Sequence, residues 1–287
     1  MAFKQAVEII DPENIEATAL KKLTRDLREA ARTMTATEVR FLVDAYYEMQ
    51  NNRIRAANRL RAASVDREPH QTIVWLLDNT RVLENRVKSA LEAYAQNDFV
   101  GSWSMSIVGV GPVIAAGLLA HIDIEKAPHV GHIYGFAGLT TAAKEKWTKG
   151  TKRPYNATLA TLCWKIGESF VKQQNRENDF YGKYYVKFKQ KEIEKNESGK
   201  NKEAAEKKLA TTKIGKETEA YKAYITGKLP DAHVHARAKR KAVKLFLSHW
   251  FEVSFKARYP ERECPRHYAF QELGHQEIIS VPNDPFG

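Results

Sequence analysis

The chain has 287 residues, a formal charge of +11 at pH 7 and 43 % apolar residues, the make-up of a globular protein with enough chain for one large core or two modest ones. No run approaches the ~18 uninterrupted apolar residues that a membrane-crossing helix needs, and residues 1–8 lack the apolar run and small-residue cleavage site of a secretory leader, so a cytoplasmic location is expected. Cys163 and Cys264 stand far apart in no paired spacing, which argues against a disulfide framework and for reduced thiols.

The charge is uneven. Residues 1–100 carry 15 Lys/Arg against 15 Asp/Glu, residues 101–140 carry 1 against 2, and residues 141–287 carry 30 against 18. The whole excess therefore lies in the second half, the pattern of a protein that meets a polyanion through phosphate contacts and counterion release.

In chain order, the first hundred residues read as helices with narrow apolar stripes. Leu20, Leu23, Leu27, Ala30 and Met34 form one, Val39, Leu42, Tyr46 and Met49 a second, and Leu76, Thr80, Leu83, Val87, Ala90 and Tyr94 a third. Asp66-Arg-Glu-Pro69 supplies a turn before the third, since the residue before a proline is pushed out of the helical region. Such stripes fit a helical hairpin or coiled-coil arm used for assembly, and an all-helical core equally well.

Next comes Ser106-Ile-Val-Gly-Val-Gly-Pro-Val-Ile-Ala-Ala-Gly-Leu-Leu-Ala120, which reads as a helix-hairpin-helix. Gly109 and Gly111 permit a tight turn and a close backbone approach, and Pro112 suits the first position of the following helix. Ile107, Val110, Ile114, Ala115, Leu118 and Leu119 would pack the two helices together, and the backbone N–H groups of Gly109, Val110, Gly111 and Val113 are the expected phosphate contacts. An ordinary helix connection has the same Gly-x-Gly.

Further on, Pro128–Leu139 reads as a loop and short helix, and Thr148-Lys-Gly-Thr-Lys-Arg-Pro154 as a basic turn. Asn156–Gln174 follows as a helix with Leu159, Leu162, Cys163, Ile166 and Phe170 facing inward. The aromatics of Asp179–Phe188 are expected mostly in the core, with base stacking the alternative. Residues 190–218 hold hardly any large apolar side chains, as a solvated helix or a disordered insertion would. From Asp231 an amphipathic helix sets Ala238, Ala242, Leu245, Phe246, Trp250 and Val253 against a basic face of Arg237, Arg240, Lys241 and Lys244. The tail from Pro260, with Pro265, Pro282 and Pro285, is expected to wrap over the surface. The expected organisation is thus a helical assembly region at 1–100, a helix-hairpin-helix domain at 101–259 and an irregular tail at 260–287.

Other chemistry finds little support. His129-x-x-His132, and Cys264-x-x-His267 with His275, have ligand-like spacings, but no second pair completes a four-ligand zinc site. His233 and His235 open a basic helix and read as phosphate neighbours or exposed side chains. Asp123 and Glu125, two apart, would stand about 200° apart on a helix and are not read as an acid/base pair. No Walker sequence or dinucleotide fingerprint is present, so neither a metal nor a cofactor is expected.

Taken together, the stripes, the Gly109-Val-Gly111 hairpin, Tyr134-Gly-Phe-Ala-Gly-Leu139, the basic Lys149-Gly-Thr-Lys-Arg153 turn and the late Ala232-His-Val-His-Ala-Arg-Ala-Lys-Arg-Lys241 helix form one ordered series. In that order, from about residue 15 to about residue 258, the chain resembles the C-terminal part of the DEDD-type insertion-sequence transposases, the RNA-guided bridge recombinases. The resemblance implies a mainly α fold, a coiled-coil arm followed by an α-helical domain with an embedded helix-hairpin-helix. It also implies double-stranded DNA as partner, with structured RNA as the alternative, and a homo-oligomer.

The chain departs from that family in three respects. The insertion at 190–218 interrupts the compact pattern, and no alternating strand pattern precedes residue 100 to supply the family's acidic, metal-binding nuclease domain. The family places a serine nucleophile after the hairpin, whereas Ile107 through Glu168 contain no serine. Thr148 and Thr151 in the basic turn, and Ser169, are weak candidates for that role, with no obvious base beside them in sequence. The expectation is a nucleic-acid-binding relative without strand cleavage, with Lys149, Lys152, Arg153, Arg237, Arg240, Lys241 and Lys244 supplying charge. An active recombinase working with a separate nuclease chain, and a non-catalytic helical assembly protein, are the rivals.

Overall fold

The computed structural model describes residues 25–63, 71–140, 148, 150–265 and 279–287. Leu20, Leu23, the Asp66–Pro69 turn, Lys149, His267 and His275 lie outside them. Eleven α-helices and no strand occur among the described residues: α1 (Arg25–Ala31), α2 (Ala36–Ala63), α3 (Gln71–Gln96), α4 (Phe99–Ser106), α5 (Pro112–His121), α6 (Val130–Phe136), α7 (Ala157–Gln173), α8 (Tyr181–Glu197), α9 (Lys202–Thr211), α10 (Glu219–Ile225) and α11 (Asp231–Arg258). The expected mainly α fold is what forms. No described helix is long and apolar enough to cross a membrane.

Local chemistry sets several helix starts. Thr35 and Glu38 make a capping box for α2, the Thr35 N–H donating to Glu38 Oε2 at 2.7 Å and the Glu38 N–H to Thr35 Oγ1 at 3.3 Å. Asp98 accepts the Gly101 N–H at the head of α4, and Asn156 accepts the Leu159 N–H at the head of α7, both at 2.9 Å.

The α2–α3 pair is core at one end and arm at the other. Val39, Val43, Leu91 and Ala95 are buried in the same cluster as residues of α5, α7 and α11, because α5 lies against both helices. Farther out, Ile54, Ile73, Val74, Trp75, Leu76 and Leu83 are exposed. The third stripe is thus covered at Ala90 and left open at Leu76 and Leu83. Between these ends Arg53 clamps the buried Glu84 across the helix pair, Nη2 to Oε1 at 3.1 Å, and its hydrogen bonds hold the carboxyl below the usual range.

The centre of the molecule is the second half of α11. The sequence predicts one apolar face along this helix, and its first half keeps one. From Ala242 to Phe255, however, only Lys244 and Glu252 escape full burial, since α4, α6, α7 and α8 enclose the helix. Phe246 sits in the middle: its ring stacks on Trp103 with centroids 6.2 Å apart and meets the edges of Tyr181 at 5.3 Å and Phe170 at 5.6 Å. Tyr181 and Tyr185 are buried here, with Phe180 and Tyr184 packed against the cluster, as expected of most of the aromatics near residue 180.

Two segments take their expected surface places and add contacts the sequence did not show. Residues 190–218 are ordered, largely as the end of α8 and as α9, around a small second core of Ala205, Tyr224, Leu229 and Val234. Most of that apolar surface comes from later in the chain, so the window itself looked empty. Asn196 fastens it by accepting the Leu229 N–H at 2.7 Å and donating to the Leu229 carbonyl at 2.8 Å. The described end of the tail does not merely skirt the surface. The Trp103 indole N–H donates to the Pro282 carbonyl at 3.1 Å, and Asn283 donates to the Ser106 carbonyl at 3.2 Å. His249 Nε2 donates to the Ile279 carbonyl at 2.9 Å, and its Nδ1 shares a hydrogen bond with the Tyr181 hydroxyl at 2.8 Å.

Candidate nucleic-acid interface

The α4–α5 connection is a five-residue turn, Ile107 to Gly111. Gly109 takes φ +93°, open to glycine and costly for other residues, and Gly111 caps α5 in an extended conformation with Pro112 at the first helical position. The Val110 N–H closes the turn on the Ile107 carbonyl at 2.9 Å, which removes Val110 from the expected backbone donors. The Gly111 and Val113 N–H groups have no backbone acceptor among the described residues, although the Val113 side chain is buried. Ser169 holds the turn down: its hydroxyl donates to the Gly109 carbonyl at 2.6 Å. That bond gives Ser169 a structural task and leaves its oxygen with no base.

A cleft of about 370 Å³ opens beside this turn. The turn contributes Gly109, Gly111 and Pro112, α2 contributes Tyr46 and Tyr47, α3 contributes Lys88, and α7 contributes Trp164, Lys165, Glu168, Ser169 and Lys172. The Lys165 ammonium rests 3.8 Å from the centroid of the Tyr47 ring. Burial, and then the like charge of Lys172, lower its pKa from the usual lysine value. The only carboxylate on the wall, Glu168, is ion-paired with Lys239. Lys88, Lys165 and Lys172 thus leave the cleft positive.

These lysines and Trp164 escaped the sequence reading, which took α7 only by its apolar face. The signal was present on the other face, where Lys165, Ser169 and Lys172 recur at four and seven residues and so lie in one row.

The other expected contacts fall elsewhere. Thr148, Thr151, Lys152 and Arg153 are exposed in the basic turn, away from the cleft lining, and the Thr151 hydroxyl donates to the Thr148 carbonyl at 2.8 Å. On α11, Arg237 and Lys241 do not form a free basic face. Both are paired with the buried Glu192 of α8, Arg237 at 3.3 Å, and Arg237 also donates to Asn201 at 2.8 Å. Lys244 lies over the Tyr134 ring at 5.2 Å, and burial followed by the nearby Arg240 charge lowers its pKa. Arg240 is exposed, and none of these four lines the cleft.

A larger cleft of about 1020 Å³ is lined from α5, α6 and the end of α11. It contains the ion pairs Glu125–Arg258 and Asp123–Lys126, Arg40 donates there to the Ala120 carbonyl, and burial pushes His121 down to about 4, so the imidazole is neutral at pH 7. His129 Nδ1 accepts the Gly131 N–H at 3.2 Å and so caps α6, which accounts for its place next to His132. No group of three or more His, Cys, Asp or Glu side chains converges as a metal site among the described residues. His233 and His235 accept or share hydrogen bonds with the hydroxyls of Tyr224 at 3.0 Å and Tyr185 at 2.8 Å.

The two hairpin glycines have opposite tolerances. A Cβ at Gly109 would lie 3.3 Å from Phe170 Cδ1 and Ser169 Oγ on a left-handed backbone, whereas one at Gly111 meets nothing within 4 Å. Urea unfolding should show Gly109→Ala destabilised by about 1–2 kcal/mol and Gly111→Ala changed by less than about 0.5 kcal/mol. Glu192 gives a pH signature. Burial raises its carboxyl pKa, but Lys241 and Arg237 outweigh that and leave it lowered. Its contribution is therefore complete above the unfolded carboxyl value of about 4.3 and is lost as pH falls through the folded value. Stability measured against pH should lose that part of its acid limb in Glu192→Gln.

Comparison of the chain with known protein families, with curated proteins and with solved structures finds no match.

Proposed function

We propose that this protein binds nucleic acid by its phosphate backbone at the hairpin cleft, with double-stranded DNA as the principal ligand and structured RNA as the alternative, and without cutting the strand. The observation that carries the reading is the convergence of Lys88, Lys165 and Lys172, from two separate helices, on the Gly109–Pro112 turn. Phosphate oxygens are what three ammonium groups and the unpaired N–H groups at a helix start both suit. Binding without cleavage is favoured because Ser169 is committed to the Gly109 carbonyl and Thr151 to the Thr148 carbonyl. The relation to the insertion-sequence transposases rests on motif order and belongs to this proposal, as does the cytoplasmic location.

The exposed end of the α2–α3 arm favours assembly alongside binding. Trp75 is 63 % exposed and Leu76 55 %, with Ile73, Val74 and Leu83 beside them in sequence, a concentration of large apolar side chains that a lone chain leaves in water. The proposed cover is a second copy of the arm, laid antiparallel. Beyond Glu48, α2 carries Arg55, Arg59 and Arg61 besides the Arg53 held by Glu84, and no acid, while its first half carries Glu38, Asp44 and Glu48 against Arg40. Antiparallel pairing sets each basic half against an acidic one.

Two measurements test these readings. In a salt-titrated anisotropy assay with duplex DNA, single-stranded DNA and structured RNA, Lys165→Glu/Lys172→Glu should abolish binding at moderate salt, and Arg240→Glu should weaken it only slightly. The conservative Lys165→Gln should lower the salt slope by about one. Failure of the wild type to bind any of the three ligands would overturn the nucleic-acid reading. Light scattering should report a dimer or larger species for the wild type and a smaller one for Trp75→Glu/Leu76→Glu; a wild-type monomer at micromolar concentration would remove the assembly reading.

A further inference from the structure

Trp164 is the one large aromatic of α7 that its helix does not bury: it is 57 % exposed, whereas Phe170 on the same helix is fully enclosed. It stands in the wall of the hairpin cleft, and the Lys239 ammonium, itself held by Glu168, lies 5.2 Å from its ring centroid. The ring thus meets a fixed cation and leaves more than half of the residue's surface to solvent, beside three lysines.

The size of the cleft narrows the ligand. At about 370 Å³ it falls at the small end of the ~300–1,000 Å³ range of binding pockets, with room for one nucleotide and none for a paired duplex. A flat ring, a phosphate-seeking cluster and a volume of that size coincide in a single place.

We infer that the hairpin cleft takes one unpaired nucleotide of a nucleic-acid strand, with its base stacked on Trp164 and its phosphate held by Lys88, Lys165 and Lys172. This deepens the nucleic-acid reading and rests on it. Stacking on an aromatic tolerates any base, since every base has a π face, so the preference is for an unpaired strand and not for a sequence. The phosphate also relieves a repulsion already present, because Lys165 is crowded by Lys172. Duplex DNA lying across the outside of the turn would present such a nucleotide at a frayed end, a gap or an overhang.

The test uses the full-length protein and labelled DNA of three kinds: a blunt duplex, the same duplex with a short unpaired overhang, and the same duplex with an abasic overhang that keeps the phosphates and lacks the bases. Anisotropy titrations should show the overhang bound on the order of 10-fold more tightly than the blunt duplex. That preference should vanish with the abasic overhang and in Trp164→Ala, and should largely survive in Trp164→Phe, while an unchanged far-UV circular dichroism spectrum and urea midpoint certify the folded variants. Equal affinity for blunt and overhang DNA, or an equal loss for all three in Trp164→Ala, would overturn the stacking inference and leave backbone binding standing. No binding of any nucleic acid to the wild type would overturn both.

Discussion

The enclosure of α11 is the constraint on which the other placements depend. Once Ala242–Phe255 is wrapped on all sides, each surrounding helix has one face spoken for and only its other face free. For α7 the committed face is Leu159, Leu162, Cys163, Ile166 and Phe170. What remains outward is Trp164, Lys165, Glu168, Ser169 and Lys172, the wall of the hairpin cleft. Burying Phe246 among Trp103, Phe170 and Tyr181 therefore does more than supply the ~1.5–3 kcal/mol expected of one large apolar side chain; it sets the rotation of α7 about its own axis. Ser169 then completes the link by tying that helix to the Gly109 carbonyl. The turn is anchored in the core by Ile107 and Val110 and tied to α7 by that hydroxyl.

The positive charge of the second half is divided between two uses. Part of it is internal: Arg237 and Lys241 neutralise Glu192, and Lys239 neutralises Glu168. A carboxylate as enclosed as Glu192 needs such partners, since an unpaired buried charge costs several kcal/mol. The other part lies in Lys165 and Lys172 of the cleft and in the exposed Arg240 and Lys152. A net charge counts both alike. Only the ion-paired fraction separates them, and by that measure the cleft lysines are less committed to carboxylates than Arg237 and Lys241 are.

The arm has a different logic. Its inner half is part of the core through α5, and its outer half is an apolar stripe that the other described residues leave exposed. A rigid base with an uncovered end suits an element that meets a second copy, because the base fixes the direction in which the end projects. The Arg53–Glu84 clamp stands near the boundary between the two halves and keeps α2 and α3 in register there.

Much of the architecture was legible from local pattern. The three-and-four spacing of apolar residues marks the helices, Thr35-x-x-Glu38 and Asn156 mark helix starts, and Gly109-Val-Gly-Pro112 marks a turn between two helices; each of these depends on residues near one another in the chain. The lobe around residues 190–218 was not legible, because Tyr224, Leu229 and Val234, which give it a core, lie outside that window. Nor was the pairing of Arg237 and Lys241 with Glu192, whose partner is more than forty positions away. By itself, then, the sequence determined that the chain is helical, where its turns fall and that its second half is basic, since propensity, capping and composition act over a few residues. Tertiary structure alone decided which of the lysines and arginines are spent on buried carboxylates and which face of α7 meets the hairpin. Both depend on how distant helices pack around α11, and close packing admits one arrangement of faces.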